Sequence, residues 1–251
     1  MTFAYAPFVL LALAAPALGQ NLLENGGFEE LDGFAFPAFW NEYPGSALST
    51  DTVRSGANAM RVIPVSSLQP GPTQAEHLNP NAEPAIAATP GVEYEFSGYA
   101  LHRSDDSLTG SGHIVGLSLV FYAENTAVTG HSFKTVFDGT TDDSVPAEDV
   151  WHPVSISMVA PEGSAGVGVG LVIMTDDSNR LNGSGYFDDM ELRALAGPAD
   201  FDGDGAINAS DLAILLAAWG TCAPGTCATD LDGDGATGSA DLATLLAAWT
   251  G

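Results

Sequence analysis

Two spacings of apolar residues divide this chain. Between residues 21 and 196 apolar and polar side chains alternate in short runs broken by turn residues. Val92-Glu93-Tyr94-Glu95-Phe96-Ser97 and Val154-Ser155-Ile156-Ser157-Met158 keep the period of two that a half-buried strand requires. Residues 114–123 and 167–174 are apolar almost throughout, as strands covered on both faces are. Residues 60–63 and 187–192 add two more strands, and the Pro- and Asn-rich stretch 68–84 reads as loop. No helical period is sustained in this part, so the pattern predicts an all-β sandwich.

Beyond residue 198 the spacing changes. Leu212, Leu215, Leu216 and Trp219 fall at i, i+3, i+4 and i+7, and Leu242, Leu245, Leu246 and Trp249 repeat the set. Residues 199–220 and 229–250 align without a gap and agree at 14 of 22 positions. Helices this short are not stable alone. Their apolar faces are therefore expected to pack on each other as a pseudo-twofold pair. Trp219 and Trp249 either close that small core or stand exposed for a partner.

The loop before each helix carries the chemistry. Asp200, Asp202, Asp204 and Asp211 occupy loop positions 1, 3, 5 and 12, with Gly205 at 6. Asp230, Asp232, Asp234 and Asp241 repeat this, with Gly235. At that EF-hand-type spacing a single segment can wrap six to eight oxygens around Ca²⁺. No other acid, and no Lys or Arg, occurs after residue 198. Crowded carboxylates repel and raise one another's pKa, so metal uptake and folding are expected to be one event.

The duplicated Asp-x-Asp-x-Asp-Gly-x-x-Asn-x-x-Asp pattern resembles a type I dockerin over about 50 residues. The resemblance implies a small all-α module of paired loop–helix units at 198–251 and two Ca²⁺ ions. It assigns Asp200, Asp202, Asp204, Asn208, Asp211 and the Ala206 carbonyl to the first ion. Asp230, Asp232, Asp234, Asp241 and the Ala236 carbonyl go to the second. Gly238 stands at position 9 there, so water replaces a side chain and the second site is expected to be weaker. The family docks a cohesin domain through loop positions 10 and 11, which points to Ser210 and Ser239. The partner class implied is a cohesin-like or cell-envelope protein; Ala-Ala-Trp replaces the basic residues usual further along the helix, a departure that counts against a standard cohesin.

Four phrases in the first part resemble CenC-type carbohydrate-binding modules, jelly-roll β-sandwiches within the galactose-binding-like folds. They begin at Asn21-Leu22-Leu23-Glu24-Asn25-Gly26-Gly27-Phe28-Glu29, Arg54-Ser55-Gly56-Ala57, Pro90-Gly91-Val92 and Tyr186-Phe187-Asp188-Asp189. The fold class expected is thus mainly β, a jelly-roll sandwich at 20–196 followed by the small helical module. Asp188 shares strand parity with Tyr186, Met190 and Leu192. If that face is the core, its carboxylate needs a partner. The resemblance offers a structural Ca²⁺ with Glu29, and a hydrogen-bonded Asp is the alternative. A sugar platform needs an aromatic face flanked by polar groups. Trp40, Tyr43, Tyr122 and Trp151 are the candidates, each equally readable as packing.

Composition narrows the setting. The chain has 251 residues with 32 acids against 6 basic residues, a net charge of −26. Such a surface repels nucleic acid and anionic membranes. Residues 1–19 form a short apolar run ending Ala17-Leu18-Gly19, read as a signal peptide, which places the protein outside the cell or at its surface. No later segment is long and apolar enough for membrane insertion. In an oxidising compartment Cys222 and Cys227, flanking a Pro-Gly turn, are expected to form a disulfide, with two free thiols as the alternative. No Gly-x-Ser-x-Gly elbow is present. The sequence therefore reads as a noncatalytic secreted protein that joins a polysaccharide-binding sandwich to a calcium-dependent attachment module. The alternative is a surface adhesion protein that binds no sugar.

Overall fold

A computed structural model describes residues 20–42, 45–64, 76–77, 86–124, 127–140, 146–175, 182–195, 197–203, 207–222 and 227–249. The residues read as a signal peptide, Tyr43, Asp204 and Ala206 lie outside the described residues.

Among the described residues ten strands precede the first helix: β1 (Ser46–Ser49), β2 (Ala59–Val62), β3 (Glu76–His77), β4 (Ile86–Ala87), β5 (Glu93–Leu101), β6 (His113–Tyr122), β7 (Val128–Asp138), β8 (His152–Val159), β9 (Gly166–Thr175) and β10 (Gly185–Leu195). They form two antiparallel sheets. One runs β1-β2-β10-β5-β8, and the other runs β3-β9-β6-β7 with β4 also paired to β9. The strands expected from alternation are all present, within a few residues at their ends. Glu76 and His77 form β3 inside the stretch read as loop.

The core lies between the sheets. Val115, Leu117, Leu119 and Phe121 of β6 and Val167, Val169, Leu171 and Ile173 of β9 line one side. Tyr94, Phe96 and Ala100 of β5 and Phe187, Met190, Leu192 and Ala194 of β10 line the other. The core parity of β10 thus switches from odd to even. A β-bulge between Asp188 and Glu191, with Asp189 at φ 51, inserts the extra residue. This corrects the parity reading. Asp188 is fully buried, but it sits on the side opposite Phe187, where it accepts N–H bonds from Arg54 (2.8 Å) and Ser55 (3.1 Å).

After the sandwich come α1 (Ala209–Ala217), β11 (Gly220–Thr221), β12 (Ala236–Thr237) and α2 (Ser239–Ala247). Their apolar cluster is separate and small. Ala199, Ile207, Leu215 and Leu245 are buried, with Phe201, Leu212, Leu231, Leu242 and Ala248 packed around them. Only part of each expected apolar stripe is used. Leu216, Trp219, Leu246 and Trp249 are 51%, 48%, 51% and 39% exposed. Two nine-residue helices bring one edge of each stripe together, which leaves the tryptophans out of the core. Cys222 and Cys227 are joined in a disulfide. The described residues contain no helix long and apolar enough to cross a membrane.

Candidate functional site

The two acidic loops are built alike. Asp211 and Asp241 stand at the third position of their helices, each almost fully buried. Asp211 reaches back over its own loop, accepting from Phe201 N (2.7 Å), Asp202 N (3.3 Å) and Asn208 N (2.8 Å). Asp241 does the same with Leu231 N (2.6 Å), Asp232 N (3.2 Å) and Gly238 N (2.6 Å). Each carboxylate therefore ties the first turn of its helix to the start of the loop. Asn208 adds a side-chain cap, accepting from Ser210 N at 2.8 Å, which Gly238 cannot supply. Ser210 and Ser239 are exposed at the start of their helices.

The remaining loop carboxylates converge. Oxygens of Asp200, Asp202 and Asp211 lie within 4.8 Å of one another, as do those of Asp230, Asp232 and Asp234. Asp230 accepts from Gly233 N (2.8 Å), Asp234 N (3.1 Å) and Gly235 N (2.9 Å), which curls the second loop around it. Gly203, Gly233 and Gly235 have φ of 74°, 75° and 89°, which the tight curl demands and only glycine adopts freely. The Asp232 carboxyl feels opposing effects. The Asp234 N–H bond lowers its pKa, but desolvation and the charges of Asp234, Asp241 and Asp230 outweigh it, and the net shift is upward. Asp241 is shifted downward, chiefly by its bond from Gly238 N. An all-oxygen, all-carboxylate donor set on a short flexible loop suits a hard divalent cation of the Ca²⁺ type. Cys222 and Cys227 also lie near Asp230, but their sulfurs are joined to each other.

Glu29 and Asp188 hold a loop of the sandwich. Glu29 accepts from Ala57 N (2.9 and 3.1 Å) and Asn58 N (3.0 Å). Burial pushes the Asp188 carboxyl upward, against the lowering effect of its backbone N–H bonds. Both acids face N–H donors from residues 54–58, and neither belongs to a group of three ligating side chains among the described residues. Each acid is thus hydrogen-bonded to the backbone of this loop.

Trp40 belongs to the core. It is 6% exposed, packs against Phe28 with the rings tilted by 54° and 4.7 Å between centroids, and donates Nε1–H to Asn25 O at 2.9 Å. Its indole has no open face to offer a sugar. Tyr122 and Trp151 are half-buried. Among the described residues of the sandwich the exposed large aromatics are Phe34 (91%) and Phe39 (58%), in a loop fixed by Asp32 accepting from Phe34 N and Phe36 N. The sequence reading missed them, because an aromatic in a run such as Phe34-Ala35-Phe36 is indistinguishable from core by type.

A second feature escaped the sequence altogether. A groove of about 830 Å³ crosses the outer face of the first sheet, lined among others by Arg54, Tyr99, Lys134, Ser97, Ser155 and Glu191. Its residues come from segments more than a hundred positions apart, which no local motif connects.

No protein-family model matches the sequence, and no curated protein matches it. Among solved structures, the xylan-binding CBM22-1 domain from Paenibacillus barcinonensis is similar, at 17% identity with a TM-score of 0.42, over 72% of this chain and 98% of that one. A family 16 carbohydrate-binding module is similar at 15% identity and a TM-score of 0.43, over 68% and 99%. An arabinose-bound α-L-arabinofuranosidase gives 16% and 0.47, over 83% of this chain and 32% of the enzyme. These similarities assign the chain neither ligand nor activity.

Proposed function

We propose that this is a secreted, noncatalytic two-module protein. The sandwich at 20–196 presents a glycan-binding surface, and the dockerin-like tail at 198–251 is a calcium-dependent attachment module. One observation carries the tail: each repeat gathers three Asp oxygens within 4.8 Å, with little else to hold it. Eight like charges in one small module are tolerable only with a counterion. Asp200, Asp202 and Asp211, joined by Asp204, Asn208 and the Ala206 carbonyl, would hold one ion. Asp230, Asp232, Asp234 and Asp241, with the Ala236 carbonyl, would hold the other. Bound Ca²⁺ would supply charge neutralisation and fix the loops, leaving Leu216, Trp219, Leu246 and Trp249 as an apolar surface for an extracellular or cell-envelope protein.

Phe34 and Phe39, and the half-buried Tyr122 and Trp151, support the glycan reading, because a pyranose needs an aromatic face to stack on. Two experiments test the whole. Titration calorimetry should detect two Ca²⁺ per chain, and circular dichroism should lose its helical component in EDTA. Migration through gels containing soluble polysaccharides should be retarded by at least one of them and restored to normal by Phe34→Ala. Absence of calcium uptake removes the tail reading. Absence of retardation by every polysaccharide removes the glycan reading.

A further inference from the structure

The groove on the first sheet has a chemistry of its own. Its floor is made of paired residues on adjacent strands: Tyr99 opposite Pro153, and Ser97 opposite Ser155. The Ser97 and Ser155 hydroxyls take no hydrogen-bond partner among the described residues, so two neighbouring donor–acceptor groups face the groove. Above Tyr99 lies Arg54, its guanidinium carbon 3.4 Å from the ring centroid. Arg54 is fixed there by Nη1–H donated to Asp189, whose other oxygen accepts from Ser55 Oγ at 2.7 Å. Arg54 thus lines the groove with its guanidinium fixed by the ring and by Asp189, and a planar fork of N–H donors suits a planar acceptor.

Charge selects the ligand. The groove's two acids are already engaged, Asp189 by Arg54 and Glu191 by Arg193 at 2.6 Å. Lys134, the single lysine of the chain, stands exposed at the groove and has no carboxylate within ion-pair distance among the described residues. Arg54, Arg61, Arg103 and Arg193 all have one. In a chain of net charge −26 the groove therefore carries one ammonium, that of Lys134, which the fold does not consume. A neutral sugar has no use for it, whereas a carboxylate does. The volume falls within the range of small-ligand sites.

We propose that this groove binds an acidic saccharide, its carboxylate held between Arg54 and Lys134 and its hydroxyls by Ser97 and Ser155. The inference rests on the glycan-binding reading and adds an acidic sugar class at a face separate from the Phe34–Phe39 loop. The test uses the full chain in saturating calcium with two probes of the same linkage, a β-1,4-linked tetraglucuronate and its carboxyl-reduced form, cellotetraose. Tetraglucuronate should bind more tightly, and added salt should weaken it. Lys134→Ala should lower its affinity on the order of tenfold, the scale of a lost charged hydrogen bond, with Lys134→Arg close to wild type. Because Lys134 is exposed on an edge strand, its loss should leave the melting temperature unchanged. Equal affinity for the two probes overturns the proposal. So does uronate binding that Lys134→Ala does not change, which would point to calcium in the tail as the anchor. Neutral binding abolished by Phe34→Ala but not by Lys134→Ala overturns it while leaving the glycan reading intact; binding of neither probe overturns this proposal alone.

Discussion

The sandwich and the tail solve the problem of staying folded in different ways. The sandwich closes a core of large side chains, with Tyr94, Phe96, Phe121, Phe137 and Phe187 among those fully buried. Its buried carboxylate, Asp188, is matched by local N–H donors. Among its described residues the tail fully buries only Ala199, Leu215 and Leu245 of the apolar ones and leaves five large ones exposed. Its ordering comes from carboxylates that organise backbone N–H groups, at the expense of mutual repulsion. One region is held by what it hides from water and the other by carboxylates bonded to its own backbone. Stability in the first should ignore metal, and in the second should follow it.

Chelation is the largest expected effect. At a hundredfold excess over its dissociation constant each ion stabilises the tail by about 2.7 kcal/mol, so EDTA should unfold residues 198–251. Two melting transitions are expected, with only one moved by calcium. A single transition that EDTA leaves in place would erase the contrast between the regions. Core truncation comes next. Phe96→Ala should lower the sandwich transition by roughly 3–5 kcal/mol without altering calcium uptake, whereas Leu245→Ala, at roughly 2–5 kcal/mol, should abolish the tail's helix signal even in calcium.

Acid sharpens the contrast further. The pKa of Asp232 is raised above its ordinary value of 3.8. A raised carboxyl favours the protonated form, so its stabilising contribution is fully present below 3.8 and is lost as pH rises through the raised value. Metal-free tail should therefore regain some helix signal as pH falls from 7 toward 4. With calcium present the sign reverses, because protons displace the ion. Helicity in EDTA that falls steadily on acidification would contradict this. The smallest effect separates the two loops. Asn208→Gly should cost a few tenths of a kcal/mol and make the first repeat like the second, and Gly238→Asn should do the reverse. Calcium affinities measured loop by loop would detect either change.

Much of this was legible from spacing. The strands of the sandwich core carry bulky residues at every second position, and Asp at 1, 3, 5 and 12 announces the acidic loops twice. The exceptions have physical causes. The exposed edge strand β7 buries only Phe137 on either face, so it gives no alternation to read. Asp188 is buried but does not share the side of Met190 and Leu192, because a bulge adds one residue to β10, and bulges have no sequence signature here. Trp219 and Trp249 fit the helical stripe, but helix spacing does not say which edge of a stripe meets a partner. Arg54, Tyr99 and Lys134 meet only through sheet topology, so the groove has no counterpart in the linear pattern.

Gly56 carries a consequence for how this sequence can drift. It has φ +62, and a Cβ there would lie 2.1 Å from Glu29 Oε1. Alanine at 56 would evict the carboxylate that fastens residues 57 and 58, while losing Glu29 would free position 56 of that clash but not of its left-handed backbone. Related sequences should therefore keep glycine at 56 after the acid at 29 has gone, and seldom the acid without the glycine, so the order of loss can be read from an alignment.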